Sequence, residues 1–324
     1  MGRNKILNRI SQSFGLKRML VLVSVILALL VSCETKTITP SEFDGDRAMI
    51  FLFKQTALGP RVPGTDAWRR CQAYLIDMLE QSDLAVDTQL FDFDDPYSDQ
   101  QFVMQNIIGR YRNAGDDTPV LLVAHYDSRP RTDFHSDPAR RDEPLLGAND
   151  GASGVAVLLE LSRMLAKDKP EVNVDLLFVD GEDWGKPTDH QYYLLGSNYF
   201  ATHKGNIKGE YRFAIVLDMV GAKTQKFYRE GYSEQFNKEI NDMVWNTADS
   251  LGVTIFVDTV KGGILDDHMS INVGGVPAID IIDLNFPYWH TEEDTPDKCS
   301  GEALKNVGRV IAQVLYNKSL WPND

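Results

Sequence analysis

Continuous runs of apolar residues recur along this chain, and each is followed within a few positions by acidic residues or a histidine. The runs lie in four segments, PVLLVAHYDS, VDLLFVDGED, RFAIVLDMVG and VPAIDII. In the first of them, residues 120–124 are apolar without a break. Apolar runs of this length, without regular polar alternation, are typical of strands buried on both faces of a parallel sheet. We therefore predict a buried strand in each segment.

Between these runs, apolar positions recur at the spacing of amphipathic helices. Residues 66–81 are the clearest case, with Trp68, Leu75 and Leu79 on one face. Further helices are predicted at residues 153–167, 233–251 and 301–316, and further strands at residues 85–93, 106–111 and 254–257. Helices that alternate with buried strands predict an α/β fold, a three-layer α/β/α sandwich with a mainly parallel central sheet.

The N-terminal segment has a different pattern. Five basic residues and no acidic ones precede an apolar run at residues 19–31, which resembles a secretory signal and is shorter than the about 20 residues of a membrane span. The following LVSC resembles the bacterial lipobox, although an ordinary signal peptide with a chance cysteine is the alternative. We predict a lipoprotein signal peptide at residues 1–32, a lipidated tether at 33–43 that begins with Cys33, and one folded domain at 44–324. The protein would be exported and held by its lipid at the periplasmic face of a bacterial membrane.

Charge and cysteine content narrow the class of protein. The chain carries 47 acidic against 33 basic residues, a net charge of −14, and the predicted signal peptide removes only basic ones. This balance argues against nucleic acid as a partner. Beyond Cys33, only Cys71 and Cys299 remain, so the fold is not a disulfide scaffold. An oxidised pair and two free thiols both stay open, and the sequence gives no oligomeric state.

Acidic residues and histidines gather just after the predicted strand cores, or in short motifs between helices. The set comprises His125, Asp150, Glu182, Asp183, Asp218, Asp266 and His290. Because ligands bind at the carboxyl ends of the strands in open α/β sheets, we expect these side chains to meet in one site.

Taken singly, each of these residues has an ordinary structural explanation. A lone histidine after a strand is more often a hydrogen-bonding residue than a ligand, and an Asp-Gly pair is first of all a turn. Taken together, so many carboxylates would repel one another unless a cation neutralised them. Nitrogen and oxygen ligands without thiolate suit catalytic zinc, which keeps an open position for water or substrate. We therefore predict a zinc site.

In their order and local context, these motifs resemble the zinc aminopeptidase superfamily. The matching elements are His125 in AHYDS, Asp150 in GANDGASG, Glu182-Asp183, Asp218, and His290 before TEED. The segment ALGPRVPGT near residue 60 fits the same relatives. The resemblance covers about residues 44–316 and implies an aminopeptidase-like fold.

Two activities in that superfamily use the same positions differently. In the aminopeptidases, residues matching His125, Asp150 and Asp218 hold one zinc ion. Residues matching Asp150, Asp183 and His290 hold a second. The glutaminyl cyclases, which convert N-terminal glutamine to pyroglutamate and release ammonia, keep only this second ion. In a cyclase, His125 would hydrogen-bond a neighbour instead of binding metal.

Two features favour a cyclase. Trp289 directly precedes His290, with Phe286 close by, as in the aromatic wall of cyclases. Residues 266–268 are Asp-Asp-His, where aminopeptidases typically have Ser-Asp-His. The resemblance thus implies a zinc-dependent glutaminyl-peptide cyclotransferase with one zinc ion per chain, acting on peptides or proteins with N-terminal glutamine. The alternative is an exported aminopeptidase with two zinc ions. A non-catalytic binding module is disfavoured, because the ligands and Glu182 are intact.

The resemblance also assigns roles to individual residues. The expected zinc ligands are Asp150, Asp183 and His290, and the expected catalytic residues are Glu182, Asp218 and Asp266. The expected substrate-binding residues are Trp289, Phe286, Trp184 and Ile264, with Trp184 equally able to pack beneath the pocket. Tyr192, Tyr193 and Tyr199 are expected to pack, and Asp267 and His268 to orient neighbours. One departure stands out, because Asp183 is one methylene shorter than the glutamate of animal cyclases.

Overall fold

The structure is a computed structural model that describes residues 40–115, 117–203 and 207–322. Its strands are β1 (Ala85–Asp94), β2 (Gln101–Arg112), β3 (Val120–His125), β4 (Asn173–Val179), β5 (Ala214–Asp218), β6 (Phe227–Glu230), β7 (Phe256–Lys261) and β8 (Ala278–Ile282). Its helices are α1 (Gly45–Thr56), α2 (Asp66–Gln81), α3 (Ala152–Asp168), α4 (Leu195–Thr202), α5 (Gly231–Ser250), α6 (Asp267–Val273) and α7 (Gly301–Tyr316).

The predicted signal peptide and Cys33 lie outside the described residues, so export and lipid attachment stay predictions. Phe43, which we had placed in the tether, is 2% exposed and packs against Gly308 of α7. The packed domain therefore begins no later than this residue. None of the described helices is both long enough and apolar enough to cross a membrane.

A six-stranded sheet in the order β1-β2-β4-β3-β5-β8 forms the centre of the fold. Strands β4, β3, β5 and β8 run parallel, and the β1–β2 pair is joined antiparallel at one edge. Strands β6 and β7 form a separate two-stranded parallel sheet. This confirms the predicted α/β class with a mainly parallel central sheet.

The parallel strands are buried along their whole length, and they separate two apolar cores. Leu122 and Ala124 of β3 lie in one core, which α3 and α7 cover. Leu121 and Val123 lie in the other, which α4 and α6 cover. Successive side chains of a strand point to opposite faces, so the unbroken apolar run fills both cores. The helices on the two faces make the predicted three layers.

Helices α2 and α7 begin and end at the predicted residues. Side-chain caps mark their starts, because Thr65 accepts a hydrogen bond from the backbone of Trp68 and Ser300 from that of Ala303. Strand β2 begins at Gln101 instead of residue 106, and β7 lies at Phe256–Lys261 instead of 254–257. The helices and strand that we did not predict are α1, α4, α6 and β6. Helices α4 and α6 span at most two turns, which is too short for a helical period to show.

Gly154, in the first turn of α3, lets this helix approach β5 closely. A Cβ atom at this position would lie 2.1 Å from the backbone oxygen of Leu217. A backbone atom cannot swing aside as a flexible side chain can, so the contact is a fixed limit on residue size. The closeness holds the start of α3 against the carboxyl end of β5.

We expect Gly154→Ala to lower the free energy of unfolding by about 1–3 kcal/mol, because it overpacks a contact that only a backbone shift relieves. Urea unfolding of both proteins measures the difference. Gly262→Ala is the matched control, since no atom lies within 4 Å of a Cβ built there, and its effect should stay within about 0.5 kcal/mol. Equal effects of the two substitutions would contradict this account.

Glu230 is a fully buried carboxylate that caps α5. One of its oxygens, Oε1, accepts hydrogen bonds from the backbone N–H groups of Tyr232 and Ile264, both at 3.0 Å. The other, Oε2, accepts from the N–H of Ser233 at 2.6 Å. Burial acts to raise the pKa of Glu230, but hydrogen bonds from His268 and Ser233 outweigh it and lower the pKa to about 2.

A carboxylate whose pKa is lowered on folding stabilises the protein above its unfolded pKa and loses that contribution as the pH falls towards the folded value. For Glu230 this window runs from 4.5 down to about 2. We expect Glu230→Gln to be less stable at neutral pH and to lose less stability on acidification than the unaltered protein. Urea midpoints at about pH 6 and about pH 3 test both points. Glu239→Gln, at an exposed position of the same helix, is the control. If the urea midpoint of Glu230→Gln falls between the two pH values as much as that of the control does, the prediction is refuted.

Candidate metal centre and active site

A cavity of about 360 Å³ opens where the parallel strands end. Its wall includes residues that follow β4, β5 and β8, and it also includes the segment around His290. Of the predicted site residues, it contains Asp150, Glu182, Asp183, Asp218, Ile264, Asp266, Trp289 and His290. The structure thus brings eight of the predicted residues, from separate parts of the sequence, to one edge of the sheet.

Asp150, Asp183 and His290 form one group whose ligand atoms all lie within 4.8 Å of one another. The Nε2 atom of His290 is 3.3 Å from Oδ2 of Asp183 and 3.6 Å from Oδ2 of Asp150. All three side chains are buried, and Oδ2 of Asp183 has no hydrogen-bond partner. A buried carboxylate oxygen without a partner is costly unless a cation binds it. Two carboxylates and an imidazole are a ligand set that fits zinc.

His125, Asp150 and Asp218 form a second such group, which shares Asp150 with the first. The Nε2 atom of His125 is 3.2 Å from Asp150 and 3.3 Å from Asp218. Burial acts to lower the pKa of His125, but hydrogen bonds with Asp127, Asp150 and Asp218 raise it well above its usual value. The described residues therefore include two candidate metal-binding groups that share Asp150.

The loop that carries Asp150 is fixed by Asp294, a residue that our sequence analysis did not single out. The buried Asp294 carboxylate accepts hydrogen bonds from the backbone N–H groups of Asn149 at 2.8 Å and Asp150 at 3.1 Å. Gly151, the next residue, has a φ of +93°, and a Cβ there would lie 2.8 Å from the backbone oxygen of Asp127. Only glycine fits this turn without strain.

His290 itself has a φ of +54°, in the left-handed region. Non-glycine residues are rare in this region and cost free energy there, and such residues cluster at functional sites. The strained backbone therefore agrees with a functional role of the His290 side chain.

The three predicted catalytic acids lie on the cavity wall. Burial, and after it the neighbouring Asp183, raises the pKa of Glu182 well above its ordinary value. Burial is also the main cause that raises the pKa of Asp218 to about 7. Asp266 is 4% exposed and caps α6 with its own carboxylate. Glu182 and Asp218 can therefore accept or hold protons next to the metal groups, which agrees with acid–base chemistry.

The predicted substrate-binding residues divide into two pairs. Ile264 and Trp289 line the cavity, and the Trp289 side chain is 40% exposed. Phe286 does not reach the cavity surface and packs beneath it against Met219 and Ile282. It supports the wall instead of forming it.

Trp184 likewise packs away from the cavity, which agrees with the packing alternative and not with substrate contact. Its indole is 6% exposed and lies in a small core with Val62, Phe91 and Met104. Its Nε1 atom donates a hydrogen bond to Asp95 at 3.0 Å. The small core buries the indole ring, and Asp95 accepts the hydrogen bond of its N–H group. The side chain of Trp184 therefore has a structural role in the fold.

Other residues line the cavity without having been predicted. Tyr193, which we expected only to pack, lines it, and so does Phe134, whose ring lies 5.8 Å from that of Trp289. Arg129 and Asp133 also reach it. These four residues lie in loops with no hydrophobic period, so their sequence context gave no signal.

Cys71 and Cys299 are both buried free thiols. Of the two alternatives that the sequence left open, an oxidised pair or two free thiols, the structure has the second.

A mainly parallel sheet with two carboxylate–histidine groups at its carboxyl edge agrees with the aminopeptidase-like class of zinc enzymes that the sequence motifs resemble. Residues 106–315 match the model of Peptidase family M28. The chain belongs to this family.

Solved structures agree with that assignment. A leucine aminopeptidase precursor from Bacteroides thetaiotaomicron is 37% identical, with a TM-score of 0.82 over 86% of this chain and 99% of its own. Glutaminyl cyclase from the same organism, bound to N-acetylhistamine, is 36% identical, with a TM-score of 0.81 over 86% and 99%. Aminopeptidase YwaD of Bacillus subtilis is 28% identical over 226 residues, which are 65% of this chain and only 44% of that protein. The chain is thus a zinc-dependent M28 enzyme whose relatives divide between glutaminyl cyclases and aminopeptidases.

We expect His290→Ala to lose the zinc ion held with Asp150 and Asp183, because it removes the only nitrogen ligand of that group. Zinc content after dialysis, measured by atomic emission, should fall by one ion per chain relative to the unaltered protein. His203→Ala, at an exposed histidine of α4's C-terminal end, is the control and should keep the full content. Unchanged zinc in the folded His290→Ala protein would remove His290 from the ligand set.

Proposed function

We propose that this protein is a glutaminyl-peptide cyclotransferase, which converts the N-terminal glutamine of peptides or proteins to pyroglutamate and releases ammonia. The observation that carries the proposal is the position of Trp289. Its ring centroid lies 4.1 Å from that of the candidate ligand His290, and its exposed face forms the cavity wall beside the metal groups. The 36% identity to a Bacteroides thetaiotaomicron glutaminyl cyclase supports the same conclusion.

The reaction joins the substrate's α-amine to its own side-chain carboxamide carbon. A C–N bond forms, the amine loses a proton, and the carboxamide nitrogen leaves as ammonia after gaining one. Zinc held by Asp150, Asp183 and His290 would supply the Lewis acid that polarises the carboxamide oxygen. Every proton transfer then falls to side chains of the cavity wall.

Glu182 is placed to move the proton. Its carboxylate lies on the cavity wall next to Asp183, on the loop that follows β4. It would accept a proton from the attacking amine and return it to the leaving nitrogen, as a general base and then a general acid. Asp218 and Asp266 line the same cavity and would accept hydrogen bonds from the N–H groups of the attacking amine and of the leaving ammonia.

The apolar part of the wall would decide which nucleophile reacts. Trp289 and Ile264 would contact the methylene groups of the glutamine side chain and hold it in the bent conformation that brings amine and carbonyl together. The same contacts would exclude water, so that cyclisation outruns hydrolysis. A peptide with another N-terminal residue has no carboxamide at this position and would not react.

An aminopeptidase is the second candidate, and a specific observation favours it. The group of His125, Asp150 and Asp218 is complete, which suits a second metal ion. The 37% identity to a leucine aminopeptidase precursor points the same way. The two activities differ in metal content, with one zinc ion per chain expected for the cyclase and two for the aminopeptidase.

For location and partners, the proposal rests on the sequence. We propose an exported protein that is anchored by lipid at Cys33, on the periplasmic face of a bacterial membrane, with peptides or proteins that begin with glutamine as its substrates.

The deciding experiment incubates purified residues 34–324 with a Gln-initiated peptide and its Leu-initiated analogue, followed by mass spectrometry. We expect the Gln peptide alone to lose one ammonia and the protein to carry one zinc ion per chain. Glu182→Gln should bind zinc but react at least about 100-fold more slowly, because it removes the proton carrier. Removal of the first residue from the Leu peptide, with two zinc ions per chain, would overturn the proposal and establish the aminopeptidase.

A further inference from the structure

Arg129 is a fully buried cation beside the metal groups, yet it belongs to neither ligand set. Its Nη1 atom forms an ion pair with Oδ1 of Asp183, and its Nε atom forms another with Asp133. Its Nη2 atom donates a hydrogen bond to the Tyr193 hydroxyl at 3.0 Å. A buried guanidinium is costly unless its partners compensate it, and here two carboxylates do so.

Asp133 connects the same guanidinium to the other side of the group. Its Oδ2 atom, which receives the Nε–H of Arg129, lies 3.5 Å from Nδ1 of His290. The opposite ring nitrogen, Nε2, faces Asp150 and Asp183. Imidazoles that bind metal usually present their other N–H to a carboxylate, which fixes the tautomer and the orientation of the ring. Asp133 occupies that position.

The contact with Arg129 also fixes how Asp183 can bind. Its Oδ1 atom is taken by the guanidinium, whereas Oδ2 is buried without a partner, 3.3 Å from Nε2 of His290. Arg129 also donates a hydrogen bond to the backbone oxygen of Asp183 at 3.2 Å. The backbone and the side chain of Asp183 are therefore both held by Arg129. Only one carboxylate oxygen remains for a metal. The short side chain of Asp183 therefore reaches the group that it forms with Asp150 and His290 from a backbone position that Arg129 holds.

We propose that Arg129 and Asp133 form a positioning pair that orients Asp183 and His290 together and so sets the zinc affinity of the Asp150–Asp183–His290 group. The pair acts through the ligands, because the donor groups of Arg129 are taken by Asp133, Asp183 and Tyr193. One guanidinium couples the two ligands, so that neither can turn without disturbing a buried ion pair. The inference does not depend on which activity the protein has, because the cyclase and the aminopeptidase would both use this group.

Two variants test the pair with little change in shape. Asp133→Asn keeps the size of the side chain and removes its charge. Arg129→Lys keeps the charge but replaces the planar fork with a point donor, which cannot hold Asp133 and Asp183 in the same geometry. Arg131→Lys is the matched control, because Arg131 is a nearby arginine whose Nη1 donates to the backbone oxygens of Trp184 and Gly185 and not to a ligand.

Zinc affinity of the purified protein, measured by competition with a chromophoric chelator, should fall about 10–100-fold in Asp133→Asn and in Arg129→Lys. Arg131→Lys should bind as the unaltered protein does. Cobalt(II) substitution gives a second readout that loss of general stability does not move, since the visible absorption bands report ligand geometry. The bands should shift in both variants and not in the control.

The inference is overturned if Asp133→Asn binds zinc with unaltered affinity and its cobalt spectrum superimposes on that of the parent protein. Circular dichroism and urea unfolding confirm that each variant is folded. If Arg129→Lys does not fold, Asp133→Asn decides alone, because Asp133 is partly exposed and its replacement leaves Arg129 paired with Asp183. Failure of the proposed cyclase activity would leave these affinities unaffected, so the two proposals fail separately.

Discussion

Mutual repulsion among buried carboxylates at one edge of the sheet is the constraint on which the site depends. Asp150, Asp183, Asp218, Glu182 and Asp266 all reach a single cavity. Burial raises the pKa of Glu182 and of Asp218, which shows how unfavourable their charged forms are there. In contrast, nearby cationic groups, first of all Arg129, lower the pKa of Asp183 despite its burial. A divalent cation in the ligand groups would offset the remaining repulsion among these carboxylates.

The sheet imposes this convergence. Both faces of the parallel strands are covered by apolar cores, and the acids that line the cavity lie at or beyond the strand ends. Parallel strands bring all of their carboxyl ends to the same edge. Gly154 and Gly151 then allow α3 and the Asp150 turn to approach that edge closely enough for side chains to meet. The same strands therefore form the core of the fold and determine where the acids of the site lie.

The parts that could be predicted from the sequence follow from this logic. Unbroken apolar runs identify the buried strands, helical periods identify α2 and α7, and the acids after the strands mark the site. The division of these acids and histidines into two ligand groups was implied by the resemblance to the aminopeptidase superfamily, and the structure brings both groups together. The aromatic residues could not be placed in the same way. Trp184 is buried in a side core, whereas Trp289 lines the cavity, although each is next to a candidate ligand in the sequence. The position of an aromatic side chain in a loop depends on the tertiary packing around it, and the local sequence has no periodicity that would predict this packing. Arg129 was missed for the related reason that two of its partners, Asp183 and Tyr193, are distant in the sequence.

The ligand groups do not by themselves separate a cyclase from an aminopeptidase, because both groups are complete and share Asp150. What separates the reactions is the nucleophile, which is water in one and the substrate's own amine in the other. Under the proposed function, control over the nucleophile would lie in the wall, where Trp289 and Phe134 present exposed aromatic faces beside His290. An apolar wall next to a metal group disfavours free water and favours a substrate that supplies its own amine. The activity is thus expected to depend on residues that bind no metal.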